Sequence, residues 1–105
     1  MFAVIYKWRV KPELELQFIE GWSEITEYLI GNFHALGSRL HRGSDGFWYA
    51  YANWRTFEER DFAFENMPEI PAREKMKGAI EEAFPEIKLE MVADFLILPE
   101  KIKKN

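Results

Sequence analysis

Arg39 and His41 stand two residues apart within ALGSRLHR. On a strand that spacing puts both side chains on one face. An imidazole can take a proton near neutral pH, and a guanidinium can hold an anionic oxygen. Together they form the best acid–base and anion-holding pair in the chain, although a place beside a hairpin also suits exposed or interface residues. His34 reads as a loop residue. Asn53 and Trp54 are the second pair: an amide that could hold a substrate oxygen, and an indole that could stack on a ring. Strand neighbours point to opposite faces, so only one of the two lines a given pocket unless a bulge intervenes. Asn53 alternatively bonds local backbone, and Trp54 alternatively serves the core or a dimer contact. Tyr6, Trp8 and Trp22 could wall a pocket for a flat ligand, or simply fill a small core. Tyr49 and Tyr51 share one strand face and Trp48 takes the other; at least one phenol is expected to reach a polar opening.

The elements that position these residues follow from periodicity. Phe2–Val10 alternates, with Phe2, Val4, Tyr6, Trp8 and Val10 on one face. Pro12 suits a helix start. From Glu13 to about Ile30, Leu14, Phe18, Trp22, Ile25 and Leu29 recur at helical spacing, and Gly31–Asn32 offers a stop. Leu36–Arg42 reads as a strand, Gly43-Ser44-Asp45-Gly46 as a hairpin turn and Phe47–Trp54 as an aromatic strand. Thr56-Phe57-Glu58-Glu59 has capping-box spacing and opens a helix to about Met67. After Pro68 and Pro71 a second helical piece is expected from about Ala72 to Phe84. A long strand is expected over Ile87–Leu98, stopped by Pro99.

Bulk properties bound the function. The chain of 105 residues predicts one domain over 1–98, followed by a polar basic tail at 99–105. A net charge of −4 weighs against a broad nucleic-acid footprint. With no cysteine, thiolate chemistry and Cys-ligated zinc are excluded, and two histidines make a His-rich metal site unexpected. Lys7 and Arg9 interrupt the opening apolar run, which reads as neither a signal peptide nor a membrane span, so the expected compartment is the cytoplasm.

The order strand–helix–strand–strand–helix–strand predicts an α+β, ferredoxin-like βαββαβ sandwich with both helices on one face of a four-stranded antiparallel sheet. The open face would carry Ala3, Ile5, Lys7 and Arg9, with Val92, Asp94 and Leu96 from the last strand. That surface is too apolar to leave bare, so a homodimer joined sheet to sheet is expected.

FAVIYKWRVKPELELQFIEGW, ALGSRLHR and DGFWYAYANW, placed before a helix cap, resemble the antibiotic biosynthesis monooxygenase (ABM) family over about residues 1–98. The resemblance implies a dimeric α/β barrel with a pocket between sheet and helices. It also implies activities that include cofactor-free oxygenation of phenols or quinols, alongside members with no established activity. On that reading Asn53, His41 and Arg39 are the catalytic candidates. Tyr6, Trp8, Trp22, Tyr49, Tyr51 and Trp54 are the pocket candidates, and no cofactor or metal is expected. The haem-degrading branch typically uses a histidine in the second helical region, and no His lies between Thr56 and Phe84. A non-catalytic small-molecule binder is the alternative.

A rival from another class is the RNA recognition motif, which shares the topology and carries aromatics on its third strand. Gly46–Tyr51 partly imitates it, but Lys7, Arg9, Arg39, Arg42 and Arg55 are a modest basic set for phosphates. Neither nucleic acid nor membrane is the expected partner.

Overall fold

A computed structural model describes residues 1–97. The expected strand end at Leu98, the Pro99 stop and the basic tail lie outside the described residues. Strand β1 (Phe2–Val10) leads through a 3-10 turn at Pro12–Leu14 into helix α1 (Glu15–Phe33). Strands β2 (Ser38–Arg42) and β3 (Trp48–Trp54) form the hairpin. Helices α2 (Phe57–Asn66) and α3 (Pro71–Gly78) follow, then strands β4 (Ile80–Ala83) and β5 (Ile87–Glu90).

The sheet is antiparallel, in the order β2-β3-β1-β4, with β5 also on β1. β4 pairs with Trp8–Val10 and β5 with Phe2–Ile5, so the two share one edge of β1. β5 falls within the expected fourth strand, and β4 is an additional strand ahead of it on the same edge. Pro85 lies between the two and has no N–H to give to a ladder. The architecture is therefore the α+β sandwich that was expected, with five strands rather than four.

Three local expectations are corrected. α1 runs past Gly31 to Phe33 and ends at His34, which takes a left-handed φ of 66° and donates its N–H to the Leu29 carbonyl. The segment after Gly78 is a strand, not a continued helix. Ile80, Ala83 and Phe84 fit helical spacing, but the vacant edge of β1 offers backbone partners that decide the outcome, including Phe84 N–H to Lys7 O at 3.0 Å. The final strand stops at Glu90 instead of reaching Leu98. Its partner there is Phe2, so β5 runs off the start of β1 and residues 91–97 have no strand beside them.

The Thr56 cap forms as its spacing predicts, with the hydroxyl accepting the Glu59 N–H at 3.1 Å. The core divides in two. One cluster joins Trp8, Val10, Phe18, Trp48, Ala50 and Ala79, with edge-on ring contacts of Phe18 to Trp8 (5.1 Å) and to Trp48 (5.5 Å). The other joins Leu29, Trp54 and Ala63. α3 closes tightly on α1, where a Cβ at Gly21 would stand 2.7 Å from the Met76 nitrogen.

Candidate functional site

The gap between the two core clusters is a cavity of about 280 Å³. Tyr6, Trp8, Trp22 and Met76 bound it from the first cluster, and Ile25, Leu29, Trp54 and Met67 from the second. Phe64 stands at its rim, 46% exposed. Its volume lies just under the roughly 300–1,000 Å³ of pockets that bury drug-sized ligands, and its walls are mainly aromatic and aliphatic. Four polar side chains face it: Tyr6, Thr26, Ser38 and Arg73. Among the described residues that line it there is no carboxylate and no imidazole.

Cross-strand register decides which side each predicted residue takes. Tyr6 opposes Ala50, Trp8 opposes Trp48 and Phe2 opposes Trp54, so the even-numbered positions of β1 and β3 face the helices. Tyr6, Trp8, Trp22 and Trp54 meet at the cavity. Tyr49 and Tyr51 do not: they oppose Lys7 and Ile5 on the open face. Arg39 and His41 oppose Tyr51 and Tyr49, and Asn53 opposes Ala3, so these three also belong to the open face. The sheet backbone separates them from the cavity, and no bulge brings Asn53 to the same side as Trp54.

The open face has its own local order. Asp45 accepts the Phe47 N–H at 3.0 Å, closing the hairpin turn, and the Tyr49 hydroxyl at 2.5 Å. The Tyr49 bond, then the Phe47 bond, hold the Asp45 carboxyl below its usual range, and the same contact raises Tyr49. Lys7 lies over the Phe47 ring at 4.2 Å and near Phe84 at 4.8 Å. The Asn53 side-chain oxygen is buried without a partner among the described residues.

Sequence reasoning missed Arg60. It is 7% exposed, the one buried charged residue among those described. It donates to the Tyr6 hydroxyl at 3.1 Å, pairs with Glu86, and reaches Asp61 at 3.3 Å. Its guanidinium lies 4.3 Å above the Phe64 ring. Burial alone would lower its pKa, but the bonds to Glu86 and Tyr6 outweigh this and raise it, so it stays cationic. A signal existed in the spacing: Arg60 shares the inward side of α2 with Ala63, and Met67 at its C-cap continues that line.

The consequence falls on Tyr6. Burial raises its pKa, and the neighbouring Arg60 only partly offsets that, so it is a neutral phenol at neutral pH. Its oxygen accepts from Arg60, which leaves the phenolic hydrogen to donate elsewhere. Tyr6 is thus an oriented hydrogen-bond donor at an aromatic cavity, polarised by a buried cation behind it.

No family model matches the sequence, and neither does any curated protein. Solved structures do match in shape. Rv0793 from Mycobacterium tuberculosis superposes with a TM-score of 0.72 at 11% identity, covering 90% of this chain and 98% of its own. A protein from Bordetella bronchiseptica assigned as an antibiotic biosynthesis monooxygenase gives 0.70 at 18% identity, over 88% and 97% of the two chains. Another structure of an antibiotic biosynthesis monooxygenase gives 0.70 at 14% identity, over 89% and 100%. The resemblance carried by the sequence motifs therefore meets a matching architecture along nearly the whole chain: this protein has the fold of the antibiotic biosynthesis monooxygenase structures.

Proposed function

We propose that the chain is an ABM-family protein whose cavity binds a small, flat phenolic or quinol-like molecule, and that it acts on it as a cofactor-independent monooxygenase. The observation that carries this reading is the Tyr6 hydroxyl, held by buried Arg60 as a donor at an aromatic cavity. A ring slots between the Trp8, Trp22 and Trp54 walls, and its oxygen accepts from Tyr6. The Arg60 cation stabilises negative charge on that oxygen, so the bound phenol ionises more readily than in water. The electron-rich anion supplies the electrons for oxygen: one oxygen atom enters the ring system and the other leaves as water. The cavity residues bind, orient and shield the anion. Since no base lines the cavity among the described residues, the phenolic proton passes to solvent at the Phe64 rim.

A homodimer belongs to the same proposal. The open face carries Ile5, Tyr49 and Tyr51, and the adjoining segment 91–97 leaves Val92 92% and Phe95 93% exposed. A second copy of the sheet covers both, closing the barrel and placing Arg39, His41 and Asn53 at the seam. No helix among the described residues is long and apolar enough to cross a membrane.

The second reading, a binder without turnover, is favoured by the missing base. One assay separates the two: oxygen uptake with hydroquinones and polycyclic phenols, no cofactor added, run beside calorimetric binding of the same compounds. Turnover above the spontaneous rate that falls in Tyr6→Phe supports the oxygenase. Binding with no uptake assigns the cavity to a carrier or sensor, and neither signal removes the cavity from the account.

A further inference from the structure

Resting on the reading of the cavity as a ligand site, one more feature fixes the class of ligand. Arg73, on α3, lines the cavity half-buried. No hydrogen bond or ion pair joins its side chain to another described residue. Its neighbours are treated differently. Lys75, two residues on, is held by Glu24 at 3.0 Å, while Arg42, Arg55 and Arg60 each have a carboxylate within 3.3 Å. The Ser38 hydroxyl faces the same cavity and is buried without a partner among the described residues. The Tyr6 hydrogen, as shown above, is also free to be given away.

Three donors without an acceptor among the described residues, one of them a full cation, therefore surround an apolar space with no acid among its described lining residues. The chain as a whole is acidic, at −4, so this positive lining is local to the cavity. A guanidinium beside an apolar wall is best matched by a carboxylate, which it grips with two parallel N–H bonds.

We infer that the ligand is an aromatic acid, its carboxylate paired with Arg73 and its ring oxygen bonded to Tyr6. Arg73 then sets specificity and orientation, placing the phenolic end of the molecule at the Tyr6–Arg60 donor.

The test is calorimetric binding of a matched pair of probes: a hydroxynaphthoate with hydroxyl and carboxylate at opposite ends, and the corresponding neutral amide. At low ionic strength the wild-type protein should bind the acid about tenfold or more tightly than the amide, the weight of one charge-assisted contact. Arg73→Gln should erase that preference by weakening the acid alone, and Arg73→Lys should keep part of it. Circular dichroism checks that each variant is folded. Equal binding of acid and amide to the wild type, or a preference that survives in Arg73→Gln, would overturn the inference while leaving the cavity reading in place. Failure of both probes to bind overturns that reading too.

Discussion

The link between Arg60 and Glu86 allows a worked prediction. The Arg60 side chain is 8% exposed and that of Glu86 is 30% exposed. Arg60→Met removes the buried cation and strands a carboxylate that water can still reach. The expected loss is about 3 kcal/mol, the low end for breaking a buried pair. Glu86→Ala strands the more deeply buried partner, leaving it Tyr6 and the half-exposed Asp61 among the described residues, so the loss is larger, about 4 kcal/mol. The double variant strands neither charge. It should lose no more than the milder single, about 3 kcal/mol, rather than the sum of about 7 kcal/mol. Urea unfolding at one fixed protein concentration measures all four proteins, with a common slope required for the comparison. Additivity to within about 0.5 kcal/mol would refute the claim that the two groups stabilise each other. A single Glu86→Ala loss smaller than that of Arg60→Met would refute the ranking by burial.

Three further outcomes are expected. In Gly21→Ala, the new Cβ meets Met76 backbone at 2.7 Å, and the overpacking penalty of about 1–3 kcal/mol exceeds the gain of about 1 kcal/mol in helix propensity. The urea midpoint should therefore fall, and ligand affinity should fall with it because Arg73 and Met76 ride on the displaced helix. Because the folded pKa of Tyr6 is raised, its contribution to stability is complete below about pH 10 and is lost as pH climbs through the folded value. Alkaline denaturation should begin later in Tyr6→Phe, and an unchanged alkaline limb would count against the buried phenol. Replacing exposed Val92 and Phe95 together with serine should shift sedimentation from dimer toward monomer. An unaltered dimer would take residues 91–97 out of the proposed seam.

Much of this was legible in the chain because local chemistry and tertiary demand agree. Phe2–Val10 alternates cleanly, α1 presents one apolar stripe, and Thr56 with Glu59 announces a helix start that forms as written. The misreadings share one cause: partners distant in sequence. Ile80–Ala83 fits a helix until the free edge of β1 is in place beside it. The final strand reads as long until its register shows that β1 has run out at Phe2. The division of the candidate site has the same origin. Alternation shows that Tyr49, Tyr51 and Asn53 differ in face from Trp48 and Trp54, yet only pairing with β1 shows which face the helices cover. Arg60 stayed hidden because a charged residue on a short helix normally points to water. Its inward direction depends on Tyr6 and Glu86, fifty-four and twenty-six residues away.

The measurement closest to the central claim is oxygen uptake on a panel of polycyclic phenols without cofactor, comparing wild type, Tyr6→Phe and His41→Ala. The account places the chemistry in the cavity between sheet and helices. It predicts turnover in the wild type, a loss of about tenfold or more in Tyr6→Phe, and little change in a His41→Ala protein that remains dimeric. Turnover that survives Tyr6→Phe but disappears in His41→Ala would contradict it, and would move the chemistry to the open face of the sheet.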